Sequence, residues 1–162
     1  MEANGWQLLA HSLFLDQLES LTARVEDLAV ERRAEHPLGK LLTTIRRYVI
    51  EIIPRDPTAP EFRLGNTLGA GNRHWFRAKF HQRYRLFFRF STKHKIIIYA
   101  WVNDESTLRK SGAKTDPYAL FKSMLQSGNP PASFDDLLKL SGGSTSALRV
   151  PAHPAPVESS GG

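Results

Sequence analysis

The sequence predicts an α+β fold in which an N-terminal helical hairpin packs on a twisted antiparallel sheet of about four strands, followed by a C-terminal helix. Three changes of pattern carry that reading. Large apolar residues recur at helical spacing through residues 1–53, they alternate with Lys and Arg between Trp75 and Phe90, and they run unbroken over Ile96–Val102.

Leu18, Leu21, Val25 and Leu28 share one helical face, with Ser12 placed as the N-cap of a helix running toward Arg33. Pro37 suits the first turn of a second helix, whose stripe is Leu38, Leu41, Leu42, Ile45, Val49 and Ile52. Pro54, Pro57 and Pro60 stop that helix, because proline lacks the amide hydrogen and pushes its neighbour toward extended backbone. A short strand is expected near residues 61–64. In the first alternating stretch Phe76, Ala78 and Phe80 face one way, while Trp75, Arg77 and Lys79 face the other. The second sets Tyr84, Leu86, Phe88 and Phe90 against Arg85, Phe87 and Arg89. The β-branched and aromatic run Ile96–Val102 reads as a central strand covered on both faces.

Asp116 and Pro117 read as N-cap and first residue of a helix carrying Leu120, Phe121, Met124 and Leu125 and ending near Gly128. A short amphipathic segment follows at residues 133–140. The last stretch, residues 141–162, is Gly, Ser, Ala and Pro with almost no large apolar side chains, and is expected to be a disordered tail. One domain is thus placed at residues 1–140, with the hairpin at 1–53, the sheet at 61–103 and the helix at 116–127.

Length and composition narrow the function. The 162 residues suffice for one hydrophobic core. No stretch is apolar for long enough to cross a bilayer, and the first ten residues lack the pattern of an export signal, so a soluble cytoplasmic protein without a membrane partner is expected. The absence of cysteine excludes disulfides, thiolate metal sites and a thiol nucleophile. No metal or other cofactor is expected, because Asp104 and Glu105 form a lone adjacent pair without a His at ligand spacing. Leu68, Gly69, Ala70, Gly71 and Asn72 read as a turn. They are not followed by the Lys-Ser or Lys-Thr that a phosphate-binding loop requires.

The net charge of +6 is unevenly spread. Residues 62–103 hold no Asp or Glu, yet they contain Arg63, Arg73, Arg77, Lys79, Arg83, Arg85, Arg89, Lys93 and Lys95. A local positive field of this kind suits a phosphate-bearing partner. If the chain turns through His81, Gln82 and Arg83, antiparallel pairing sets Lys79 opposite Arg85, Arg77 opposite Phe87 and Trp75 opposite Arg89. The cations and two aromatic rings then share one face, and the other face becomes apolar. Slipping the register by one residue would bury the charges.

Like charges facing each other across strands oppose folding by roughly 0.2–1 kcal/mol, a cost that a bound anion removes. Trp75 and Phe87 among cations suit unpaired bases, with Arg83 and Arg89 on phosphates. Cleavage of RNA needs a base for the 2′-hydroxyl, charge to stabilise the crowded phosphate and an acid for the leaving oxygen. A lysine among cations gives up its proton more readily, and arginine offers paired donors to phosphate. Lys79 is therefore the candidate proton-transfer group, with Arg77 and Arg85 as clamps. His74 and His81 are further acid–base candidates beside the basic strands.

Several motifs in order add a family resemblance. These are Asn4-Gly5-Trp6, Ala10-His11, Leu68-Gly69-Ala70-Gly71, Tyr84-Arg85-Leu86-Phe87-Phe88-Arg89, Trp101-Val102-Asn103-Asp104-Glu105, Lys114-Thr115-Asp116 and Gly128-Asn129-Pro130-Pro131. Together they resemble the YhaV toxins, over about residues 4–138. The resemblance implies a RelE-like fold and an endoribonuclease that arrests growth by destroying messenger RNA in association with ribosomes. It also implies a PrlF-like antitoxin, through which alone the pair would contact operator DNA. In RelE-like enzymes the catalytic cations lie on two adjacent strands, and Arg77, Lys79 and Arg85 fall at the matching places. Such enzymes also use a basic residue after the last strand and often a C-terminal tyrosine, for which Arg109, Lys114 and Tyr118 are the candidates. Two other readings stay open: a toxin of this fold acting on a protein target, and an RNA-binding module that does not cut.

Overall fold

The computed structural model describes residues 1–141, so the expected tail beyond Ser141 lies outside the described residues. The chain is α+β, with a five-stranded sheet in the order β1-β2-β5-β4-β3. The first two strands, β1 (Glu2–Ala3) and β2 (Trp6–Ala10), form a hairpin inside the segment expected to be purely helical. Asn4 and Gly5 join them with positive φ angles of 50° and 82°, the two-residue turn that Asn-Gly favours. β2 runs parallel to β5, so the sheet is mixed and has one strand more than expected.

β2 leads directly into α1 (Ser12–Glu26), and the cap lies one residue earlier than predicted. The His11 imidazole accepts from the Leu13 N–H at 3.1 Å, while the His11 amide still pairs with the Tyr99 carbonyl as a continuation of the sheet. The helix ends at Glu26, short of Arg33, whose guanidinium folds back onto the carbonyls of Glu26 and Leu28. A Cβ at Gly39 would lie 1.7 Å from the Arg33 carbonyl oxygen, so only glycine lets the connection cross the first turn of α2 (Pro37–Arg47). Pro54 does not stop this second helix outright. A wider turn at Tyr48–Ile52 precedes the short α3 (Ile53–Arg55), which accommodates a proline that can neither donate to nor clear the carbonyl four residues back.

Residues 61–64 form no strand. Pro60–Phe62 is a 3-10 turn, and Arg63 makes a single bridge to Phe76. β3 (Phe76–Phe80) and β4 (Tyr84–Ser91) pair in the predicted register, with Phe80 opposite Tyr84, Lys79 opposite Arg85 and Arg77 opposite Phe87. β5 (Ile96–Val102) lies between β4 and β2 and is buried on both faces. α4 (Pro117–Ser127) begins at the predicted cap, Asp116, and ends at Gly128 in left-handed backbone with φ of 85°. α5 (Phe134–Leu140) follows.

Both faces of the sheet are covered. Phe14, Leu18, Leu42, Ile45 and Val49 from α1 and the α2 region pack on Leu86, Phe88, Ile97 and Tyr99. On the reverse face Tyr118, Phe121, Leu125 and Leu137 pack on Trp75, Phe87, Ile98 and Trp101. The face expected to expose cations beside Trp75 and Phe87 is therefore open only near the turn end of the β3–β4 hairpin. No helix among the described residues is long and apolar enough to cross a membrane.

Candidate active site

Strand parity brings Arg77, Lys79 and Arg85 to one face, and the first turn of α4 lays Tyr118 across them. Arg77 Nε donates to the Tyr118 hydroxyl at 2.9 Å and Arg85 Nε donates to the same oxygen at 3.0 Å. Each arginine is also fixed by main-chain carbonyls. Arg77 Nη1 reaches Glu61 and Arg63, at 3.0 and 2.8 Å, and Arg85 Nη1 reaches Gln82 and Tyr84, at 3.0 and 2.8 Å. Neither Nη2 has a protein partner among the described residues, so both remain for a ligand. Arg85 is buried to 7% exposure, and its guanidinium lies 5.9 Å from the centre of the Tyr118 ring.

A third guanidinium closes the cluster. Arg109 lies 4.8 Å from the centre of the same ring, held by the Asp116 carboxylate at 2.6 Å. Asp116 is nearly fully buried and does three jobs. Its Oδ1 takes Arg109 Nη1 and the Lys110 amide at 2.7 Å, and its Oδ2 caps α4 by accepting from the Tyr118 amide at 3.0 Å. No carboxylate among the described residues pairs with Arg77, Lys79 or Arg85. Of the four cations at the site only Arg109 has a carboxylate partner, so the balance stays positive, an arrangement that favours an anion.

The other sequence candidates divide. Lys79 is exposed opposite Arg85, and its carbonyl accepts from the Tyr48 hydroxyl at 3.2 Å. Arg83 is exposed, and its Nε donates to the Arg109 carbonyl at 3.1 Å. Lys114 stays exposed in the loop before α4, without a hydrogen bond or ion pair among the described residues. His74 is exposed, and His81 turns toward α2, with Nε2 at 2.8 Å from the Thr44 hydroxyl.

Trp75 and Phe87 require correction as base-stacking surfaces. Both are buried to 1% or less, and the Phe121 ring stacks on Phe87 at 4.3 Å and meets Trp75 edge-on at 4.9 Å. Arg89 is likewise committed to structure. It donates to the Ala132 carbonyl at 2.5 Å and lies over the Trp75 and Phe134 rings, and burial holds its guanidinium below the ordinary value against the opposing pull of Asp135. Asn103 and Asp116 were not foreseen as parts of the site. Asp116 was legible as a cap but not as the partner of Arg109.

The loop after β5 is fastened at Asp104. Burial alone would raise its carboxyl, but hydrogen bonds from Ser106 and Thr107 outweigh that effect and leave it below the ordinary carboxylate value. Among the described residues no three His, Asp or Glu side chains converge to hold a metal ion.

Residues 8–142 match a family model described as a toxin with endonuclease activity, of a toxin–antitoxin system. The chain is 45% identical over 141 residues to the ribonuclease toxin YhaV of Escherichia coli strain K12, covering 84% of this chain and 92% of that protein. The same figures hold for the toxin YhaV of E. coli O157:H7. For that of E. coli O6:H1 the identity is 45% over 139 residues, covering 83% of this chain and 90% of the relative. No solved structure matches significantly. With its matched region spanning both layers of helices, strands β3 to β5 and the arginine cluster, the chain belongs to the YhaV family of toxins with endonuclease activity from toxin–antitoxin systems.

Proposed function

We propose that this toxin is a metal-independent endoribonuclease of RelE-like architecture that cuts messenger RNA in the cytoplasm, in association with ribosomes, and is neutralised by a PrlF-like antitoxin that also carries the pair to operator DNA. The observation that carries the reading is the convergence of Arg77 and Arg85 on one phenol oxygen, with Nη2 of each left over and neither guanidinium paired with a carboxylate among the described residues. The two Nη2 groups and Arg109 would hold the scissile phosphate and offset the charge that grows on its oxygens as the 2′-oxygen attacks. Lys79, exposed and opposite Arg85, would exchange a proton with the 2′-hydroxyl. The Tyr118 oxygen already accepts two N–H bonds, so its own hydrogen is free for the leaving 5′-oxygen. Arg83 and Lys114 would follow the flanking phosphates. The 45% identity to a protein named as a ribonuclease toxin supports RNA as the substrate.

Incubation of purified protein with RNA in EDTA, alone and with ribosomes, tests the reading. Cleavage in EDTA, reduced by at least about 100-fold when Arg77, Lys79 and Arg85 are together replaced by Ala, is expected. Salt-sensitive binding without cleavage would leave a binding module. Intact mRNA beside damaged DNA in expressing cells would point to a protein target.

A further inference from the structure

β4 and β5 stop pairing at Leu86 and Val102, yet the two chains stay joined beyond that point, and one side chain joins them. Asn103 is 2% exposed. Its Oδ1 accepts from the Arg85 amide at 2.6 Å, and its Nδ2 donates to the Arg83 carbonyl at 3.1 Å and the Thr107 carbonyl at 2.7 Å. The orientation is forced, because a flipped amide would set an amino group against an N–H and an oxygen against two carbonyls. The main-chain bond here, from the Asn103 amide to the Arg85 carbonyl, is long at 3.4 Å, so the side chain takes over where the ladder weakens.

The groups it fastens are those of the site. One side is the main chain of Arg83 and Arg85. The other is the loop that carries Arg109, whose amide donates to the same Arg83 carbonyl at 2.9 Å. Resting on the reading of the arginine cluster as the active site, we infer that Asn103 is a positioning residue: its amide sets the spacing between Arg85 and Arg109 across Tyr118. It touches no reacting atom and acts through those two arginines.

A neighbouring amide separates this role from general support. The Gln17 amide grips the main chain of Val102, accepting from its N–H at 3.1 Å and donating to its carbonyl at 2.6 Å, but it ties β5 to α1 on the opposite face. Asn103→Ala and Asn103→Asp should lower the RNA cleavage rate at saturation roughly 10- to 100-fold, with RNA affinity changed far less, at a temperature where circular dichroism shows both folded. Asn103→Asp keeps the acceptor for Arg85 but sets oxygen against two carbonyls, so it should not restore the rate. Gln17→Ala should lower the melting temperature and leave cleavage unchanged. Parental cleavage by folded Asn103 variants overturns the inference. Should the parent protein itself fail to cut RNA, the proposed function fails, and the Nε–Hε NMR signals of Arg85 and Arg109 then decide. Shifts in Asn103→Ala beyond those in Gln17→Ala sustain the positioning role, and unchanged signals overturn it.

Discussion

The Tyr118 hydroxyl receives two guanidinium N–H groups at 2.9 and 3.0 Å while its ring packs edge-on against Phe87 and lies under Arg109. Replacing Tyr118 with Phe keeps every ring contact and removes only the oxygen. Two donors then lose their acceptor and two like charges lose the dipole between them, at a cost of about 1–3 kcal/mol if neither guanidinium finds water. The expected outcome is a folded protein that melts roughly 2–12 °C lower but cuts RNA roughly 100-fold more slowly, measured as single-turnover cleavage beside thermal unfolding. Arg85 allows a sharper contrast. Lysine there retains the charge but cannot bond Tyr118 and two carbonyls while presenting another donor, so Arg85→Lys should lose nearly as much activity as Arg85→Ala. Recovery of most of the cleavage rate by the lysine variant would mean that charge alone suffices.

At the scale of elements, α4 decides what the sheet can offer. Phe121 stacks on Phe87 and Trp101 and meets Trp75, so Phe121→Ala should cost about 3–5 kcal/mol and release the first turn that carries Tyr118. This docking marks the limit of the sequence reading. Period-two alternation fixed the β3–β4 register and the face shared by Arg77, Lys79 and Arg85, because parity is local. That a distant helix covers Trp75 and Phe87 depends on long-range stacking, which alternation does not encode. Asn4-Gly5 is a turn pair that the helical assignment of residues 1–53 passes over, and the parallel docking of β2 on β5 is non-local. Arg109 and Tyr118 reach the cluster through a loop closed by Asn103 and Asp116, two polar residues without periodicity. The cap of α1 also titrates. Burial holds the His11 imidazole below its ordinary value of 6.5, against the opposing effect of Asp16. The unfolded chain therefore binds that proton more tightly. Stability from this group is complete above about pH 6.5 and is lost as pH falls through the lower folded value. His11→Asn, which caps without titrating, should show a melting temperature that falls less between pH 7 and pH 5 than that of the parent.

Across the whole molecule, the three layers sort the basic residues by what they are free to do. Residues 62–103 contain nine Lys and Arg and no acid, but Arg89 is spent on the Ala132 carbonyl and two aromatic faces. Lys79 and Arg83, in contrast, are exposed beside the cluster. The distinction can be measured, because each phosphate neutralised by a cation releases counterions and steepens the salt dependence of RNA binding. The logarithmic slope changes by about 0.7 per contact for single strands. Lys79→Ala and Arg83→Ala should each make that slope shallower by about this amount and weaken binding to unrelated sequences alike. Arg89→Ala should lower the melting temperature instead, leaving the slope at the parental value. A slope reduced by Arg89→Ala but not by Lys79→Ala would place the RNA path over the α4–α5 side of the sheet, away from the arginine–tyrosine cluster.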